Sequence, residues 1–182
     1  MTDRTAATGW ADPLLRPVPA ATVPGTGLDV RVEPTDAERA ALAKALGLAA
    51  VDSLFATFRL AARAGGLIVV TGEVKAAIRP VCVVTLEPFA LKVSEPVDLR
   101  FADPENTRRR PARRQAAETE SEDDPPDVIE NGVIDLGKVT TEFLSLAIPP
   151  YPRAPGAAFA GKEEAAATHP FAALKALKDG QE

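Results

Sequence analysis

Cys82 and His169 are the single cysteine and single histidine of this 182-residue chain, and they are the side chains best suited to covalent or metal chemistry. The Cys82 thiol could be a nucleophile, a metal ligand or a small apolar residue on a strand. A thiol ionises near neutral pH only with help from a neighbour, and His169 lies far along the sequence, before a proline. A Cys82–His169 dyad is therefore conceivable, but one thiol and one imidazole do not complete a structural zinc site.

Other catalytic motifs are absent from the sequence. The chain has neither a Walker phosphate-binding loop nor the glycine fingerprint of dinucleotide-binding folds, and no serine lies in a nucleophile elbow. The paired carboxylates of Asp123 and Asp124 fall in a segment too polar to hold them in a fixed geometry. The sequence therefore predicts a binding or assembly protein that is not an enzyme and needs no metal or other cofactor.

Composition narrows the class of protein further. The net charge of −5 and the pI of about 5.1 argue against nonspecific phosphate binding over the whole surface. One cysteine allows no internal disulfide, and neither a signal peptide nor a membrane span is visible. We expect a soluble cytoplasmic protein with one domain over residues 14–178, a disordered tail over 1–13 and a short tail over 179–182. The oligomeric state is left open.

The first elements have clear sequence signals. Residues Leu28 to Glu33 alternate apolar and polar side chains, as a half-buried strand does. Thr35 and Glu38 have the spacing of a capping box, in which each side chain binds an amide of the first helical turn. Gly47 stands where a left-handed residue ends a helix. We therefore predict a strand, followed by a helix from about Asp36 to Leu46.

The middle of the chain has the two-residue period of β-strands. Residues 51–63 and 67–78 form a predicted hairpin around Gly65 and Gly66, and another strand is predicted for 89–101. Between them, Pro80 predicts a bend before a short strand-like run from Val81 to Leu86. The predicted fold class is α+β: an antiparallel meander or a small open barrel with two to three helices and a long charged loop.

The charged loop is predicted over residues 103–130. An arginine block is followed directly by an acidic stretch, and a segment with so few apolar residues cannot bury enough surface to fold. We interpret it as a mobile polyampholyte insertion. It could be an arm for RNA phosphates or a solvated loop whose halves neutralise each other, and nine acids against five arginines favour the second reading. The arginine block consists of Arg108, Arg109, Arg110, Arg113 and Arg114.

After this loop, order is predicted to return with a short strand at Val133 and Ile134. Asp135 is placed to cap a helix that reaches about Ala147, with a buried stripe of Leu136, Val139, Phe143 and Leu146. The proline-rich segment Pro149–Pro152 then ends the helix. A short terminal helix is predicted from Pro170.

Four blocks of sequence resemble the YceD family of large ribosomal RNA subunit accumulation proteins. They are Cys82-Val-Val-Thr-Leu-Glu-Pro-Phe89, Gly132-Val-Ile-Asp-Leu136, Glu142-Phe-Leu-Ser-Leu-Ala-Ile-Pro149 with Tyr151-Pro152, and Pro170-Phe-Ala-Ala-Leu174. The resemblance extends from about Leu14 to Lys178, and it implies a bacterial factor that supports accumulation of 23S ribosomal RNA. The signature positions are Cys82, Pro88, Phe89, Asp135, Leu136, Glu142, Pro149, Pro152, Pro170 and Phe171.

The chain departs from this family at three places. Many relatives have Cys-x2-Cys where this chain has Cys82 and Thr85, and some have further cysteines at positions equivalent to 153–160, where this chain has none. The resemblance therefore implies no zinc in this member. The residue before Pro170 is usually asparagine, a helix cap, so the resemblance implies that His169 occupies a cap position.

Two hypotheses about binding follow. In the first, the protein contacts ribosomal RNA, an assembly intermediate or a ribosomal protein, with Arg59, Arg63, Lys75 and Arg79 on a sheet face and the arginine block as an auxiliary arm. In the second, it is a protein adaptor that acts through a sheet edge or through Pro149–Pro152. Binding through phosphates should weaken steeply with salt, whereas an apolar protein interface should barely respond.

Overall fold

A long antiparallel hairpin forms the centre of the fold in a computed structural model that describes residues 13–103 and 125–159. Strand β3 (Ala50–Arg63) pairs along its whole length with β4 (Leu67–Arg79). Gly65 and Gly66 between them have φ angles of 78° and 69°, a left-handed backbone that glycine adopts without steric cost. The predicted hairpin is confirmed.

Five strands form one open sheet in the order β2-β3-β4-β5-β6. Strands β2 (Leu28–Val32) and β5 (Leu91–Ala102) flank the hairpin, and all of these neighbours are antiparallel. The two-residue β6 (Asp127–Val128) joins β5 in the parallel direction. The α+β fold class is confirmed. The sequence left open an antiparallel meander or a small open barrel, and the sheet is a meander.

The alternation predicted for the strands places one face of the sheet in the core. Leu54, Phe58 and Leu60 on β3 are buried, as are Val70 and Ile78 on β4. Helix α1 (Asp36–Ala45) and helix α2 (Leu136–Ala147) add Leu42, Leu136 and Leu144 to the same hydrophobic cluster. We call this covered side the inner face and the opposite side the outer face. Among the described residues, no helix is long and apolar enough to cross a membrane.

Helix α1 begins at the predicted capping box. The Glu38 amide donates to the Thr35 hydroxyl at 3.3 Å, and the Thr35 amide donates to the Glu38 carboxylate at 2.7 Å. Gly47 follows the helix with a φ of 67°. The start, the end and the capping of this helix agree with the prediction.

Helix α2 has the predicted cap but a different buried stripe. The Asp135 carboxylate accepts hydrogen bonds from the amides of Gly137 and Lys138 at 2.9 and 3.3 Å. Leu146, predicted to be buried, has 66% of its surface exposed, whereas Leu144 is fully buried. The threonines at 140 and 141 are also buried, because their hydroxyls donate to carbonyls one turn earlier and so satisfy their polarity within the helix.

The segment before the five-stranded sheet makes contacts with both helices. Strand β1 (Pro17–Pro19) pairs with β7 (Val133–Asp135) in a separate two-stranded sheet. The Arg16 amide donates to the Asp135 carboxylate at 2.8 Å, and the Arg16 guanidinium donates to both Glu38 oxygens at 2.9 and 3.0 Å. The bonds from the Arg16 guanidinium, followed in effect by the bond from the Thr35 amide, lower the pKa of the Glu38 carboxyl to about 2. One arginine thus contacts the caps of both helices.

Glycine is required where this segment crosses α2. A Cβ atom added to Gly137 would lie 2.3 Å from the Leu14 carbonyl oxygen. Only a residue without a side chain therefore allows the backbone of residues 14–16 to lie against the first turn of α2.

Two local predictions are wrong. Residues 81–86 are not a strand: Val81 makes only an isolated bridge to Pro88, and the backbone between them turns. The charged loop does not extend to residue 130, because Asp127 and Val128 pair with β5 as β6 and the Ile129 side chain after them is buried. The arginine block, the predicted N-terminal and C-terminal tails, and the predicted terminal helix lie outside the described residues, apart from Pro13.

Candidate functional site

The loop between β4 and β5 is closed by its own backbone. The Cys82 amide donates to the Glu87 carbonyl and the Leu86 amide donates to the Cys82 carbonyl, both at 2.9 Å. At its base the Phe89 amide donates to the Pro80 carbonyl at 3.1 Å. Residues 80–89, the Cys82 loop, therefore form a small structure with a defined shape.

The Cys82 sulfur is the hydrogen-bond acceptor at the centre of this loop. Its Sγ accepts from the amides of Val84 and Ala154 at 3.4 and 3.3 Å. Hydrogen bonds from the Thr85 hydroxyl, the Ala154 amide and the Thr85 amide favour the thiolate, and they lower the pKa of the Cys82 thiol to about 6 although burial raises it. The side chain has no exposed surface, so the prediction of a small buried residue is confirmed.

The Cys82 loop is joined to the segment that follows α2. The Val83 amide donates to the Pro152 carbonyl at 2.9 Å, next to the bond between Ala154 and the Cys82 sulfur. Signature positions from two distant parts of the sequence therefore meet here. Cys82, Pro88 and Phe89 lie in the loop, and Pro152 lies in the segment after α2, which begins near Pro149. Sequence spacing alone gives no sign of this contact.

The outside of this junction carries exposed apolar side chains. Leu86 and Tyr151 have 76% and 77% of their surface exposed, and Val81 and Val83 are also exposed. Leu86 has a φ of 60°, a left-handed conformation that an L-residue with a branched side chain rarely adopts. We call these four residues, Val81, Val83, Leu86 and Tyr151, the loop face.

The chemistry available around Cys82 is limited. Within residues 13–103 and 125–159, no group of histidine, cysteine, aspartate and glutamate side chains is arranged to hold a metal ion. The Thr85 hydroxyl contacts the sulfur. His169 lies outside the described residues, so the dyad stays a hypothesis. The buried sulfur serves as an anchor for two backbone segments.

The four basic residues predicted to bind RNA lie on the outer face, three of them beside carboxylates. Arg59 binds both Asp29 oxygens at 2.9 Å and also the Thr26 carbonyl at 2.8 Å. Arg79 binds Asp52 at 2.9 Å, and Lys75 pairs with Glu73. Arg63 is exposed and has no ion pair among the described residues. The outer face therefore presents alternating charges in place of a continuous basic surface.

The sheet edge at β5 is poorly suited to adding a strand. Pro96 has no amide to donate, and Glu95 occupies an inward-facing position opposite Val74. Proline and inward-facing charges are features that prevent edge-to-edge pairing in natural sheets. The β5 edge is thus a poor site for the sheet-edge part of the adaptor hypothesis.

Little in the sequence points to the loop face. Val81 and Val83 belong to a run that reads as a strand, and Leu86 shows no preference for a left-handed turn. The neighbouring Glu87-Pro88 pair was the only local sign of a turn in this run. Tyr151 lies in a signature block, but its neighbours become visible only in the structure.

Comparison with known proteins identifies the family. Residues 70–178 match the family described as large ribosomal RNA subunit accumulation protein YceD, and this range includes the Cys82 loop, β5 and α2. No curated protein and no solved structure matches the chain. The family implies a role in accumulation of the large ribosomal RNA subunit, and the match covers more than half of the sequence. The chain belongs to the YceD family.

Proposed function

We propose that this protein is a noncatalytic factor of large-subunit biogenesis that supports 23S ribosomal RNA accumulation in the cytoplasm by binding an assembling ribosomal protein. The loop face is the proposed contact surface. The family supplies the biological process, and the geometry favours a protein partner over a substrate. Exposed apolar side chains on a hydrogen-bonded loop suit association with another folded protein.

Leu86 is the observation that carries this proposal. A left-handed backbone costs an L-residue about 1–2 kcal/mol, and glycine or asparagine would avoid most of that cost. Leucine also gains little from folding here, because most of its side chain stays in water. An apolar side chain in such a position is explained by contact with a partner that covers it.

The loop face is also preorganised for binding. Backbone hydrogen bonds close the loop, and the Cys82 sulfur ties it to Ala154. A surface that is already ordered loses less conformational entropy on association than a flexible one. The signature positions around Cys82 therefore support the loop face without contacting the partner themselves.

Direct binding of ribosomal RNA is the second candidate function. One observation favours it: Arg59, Arg63, Lys75 and Arg79 share the outer face, and Arg63 has no ion pair among the described residues. Against it, the other three basic groups are already paired with carboxylates. Phosphate binding there would have to compete with those pairs.

Site-specific crosslinking in cells separates the two candidates. A photoreactive amino acid is placed at Val83 on the loop face or, as a matched control, at Thr57 on the outer face. We expect Val83 to yield a discrete protein adduct, and Thr57 to yield none. Adducts at Thr57 that contain ribosomal RNA, together with none at Val83, would support the RNA candidate and contradict the proposal.

A further inference from the structure

A cleft lies at the other end of β5 from the loop face. It has a volume of about 440 Å³ and is bounded by β5, β6, β7 and the first turns of α2. Leu99 and Phe101 of β5, with Val139 of α2, provide its apolar surface. Because β5 runs from Leu91 beside the Cys82 loop to Ala102, about 30 Å of strand separates the two surfaces.

The rim of this cleft is acidic. Asp127, Glu130 and Glu142 are exposed, and none of them forms an ion pair with another described residue. Lys138 is the one basic side chain among the residues that line the cleft. Asp135 also lines it, but its carboxylate is occupied by the amides of Arg16, Gly137 and Lys138. Three carboxylates without an ion pair to a described residue thus surround an apolar pocket that is lined by a single lysine.

We propose that this cleft binds a lysine- and arginine-rich segment of a partner protein, with an apolar side chain of that segment between Phe101 and Val139. Guanidinium and ammonium groups would pair with the three rim carboxylates through charge-assisted hydrogen bonds. The apolar pocket would add burial that a purely charged contact lacks. Nucleic acid is a poor occupant, because its phosphates would lie against the same carboxylates.

The elements around the cleft fix the backbone positions of the residues that carry the three carboxylates. Glu142 stands one turn after Lys138 on α2, while Asp127 and Glu130 flank the buried Ile129. The Ile129 amide donates to the Ala102 carbonyl at 2.9 Å, and this bond holds the acidic segment against β5. A basic segment would therefore meet carboxylates carried on an ordered backbone, and this site does not depend on the loop face.

Fluorescence anisotropy with the full-length protein tests the proposal. The probe is a short labelled peptide of alternating arginine and serine around a central phenylalanine, at an ionic strength of about 0.15 M, where charges more than about 8 Å apart are largely screened. We expect the double variant Glu130→Gln/Glu142→Gln to weaken its binding about tenfold, since two exposed ion pairs are lost. The control Glu33→Gln/Asp98→Asn removes the same charge from the outer face and should change the affinity less than about twofold. Equal weakening by both double variants, or by neither, would overturn the proposal.

Two further arms identify the occupant. Replacing the probe's phenylalanine by alanine should also weaken binding, and no effect would contradict a role for the apolar pocket. Replacing all arginines of residues 108–114 by serine should leave the affinity for the probe unchanged. A tenfold gain in affinity in that variant would assign the cleft to the chain's own arginines and overturn binding of a partner.

Leu86→Asn should bind the probe normally. Failure of this cleft proposal and failure of the proposed function are therefore distinguishable.

Discussion

The Cys82 sulfur and the Ala154 amide are joined by a hydrogen bond of 3.3 Å across 72 positions of sequence. The bond connects the loop after β4 with the segment after α2, and the neighbouring bond from Val83 to Pro152 reinforces it. The sulfur therefore holds together the two segments that carry the loop face. Cysteine is used here as a buried acceptor, which requires no catalytic partner.

Removing this acceptor should loosen the junction. In Cys82→Ala, the amides of Val84 and Ala154 lose their partner, and unpaired amides shielded from water are costly. We expect the melting temperature to fall by about 3–8 °C. Cys82→Ser should recover part of this loss, because its hydroxyl oxygen can still accept. Calorimetry that finds Cys82→Ala as stable as the wild type would contradict the anchoring role.

The stability of the wild-type protein should depend on pH through Cys82. Its pKa is lowered from about 9 to about 6 in the folded state. Between pH 6 and pH 9 the unfolded chain keeps the thiol proton that the folded protein has lost. The contribution of Cys82 to the free energy of unfolding should therefore increase as the pH rises through this window, and it should be lost as the pH falls through 6. Urea unfolding at several pH values measures the slope. Cys82→Ala should lack this contribution, and identical pH dependence of both proteins would contradict the assignment.

The thiol should be unreactive despite its low pKa. Thiolates are good nucleophiles, but a reagent must reach the sulfur, and Cys82 has no exposed surface. We expect a bulky aromatic disulfide reagent to label the native protein at least about tenfold more slowly than the urea-unfolded protein. Rapid labelling under native conditions would show that the loop opens readily and would revive a reactive role.

The features that the sequence predicts correctly are those that depend on local sequence patterns. The capping box of Thr35 and Glu38, the cap at Asp135 and the alternation along β3, β4 and β5 depend on neighbours within a few residues. The prediction of a strand from Val81 to Leu86 is wrong because apolar residues alone fit a strand. In the structure, hydrogen bonds with Glu87, Pro152 and Ala154 hold this run as a loop. Pairing of β6 with β5 was missed because two residues give no period.

The candidate site was less predictable than the fold. Family signatures pointed to Cys82 and Pro152 but not to their proximity, which tertiary contact alone establishes. Basic side chains on alternating positions correctly indicated an exposed face. Their neutralisation depends on cross-strand partners such as Asp29 opposite Arg59, and these follow from the register between β2 and β3.

Leu86 allows stability and binding to be separated. Leu86→Asn places a residue that tolerates φ near 60° in the left-handed position, so the free energy of unfolding should stay the same or rise by about 1 kcal/mol. Denaturant melts measure this. As a control, Leu15→Asn changes another exposed leucine away from the loop and should have little effect. A clear loss of stability in Leu86→Asn would mean that the leucine is a structural residue.

Sedimentation of the Leu86→Asn variant in cells is the most direct test of the proposed function. The wild-type protein should migrate with large-subunit precursors, and the variant should remain at the top of the gradient while 23S ribosomal RNA levels fall. Leu15→Asn should behave as the wild type. Normal migration and normal 23S levels in cells that carry stable Leu86→Asn protein would contradict the account.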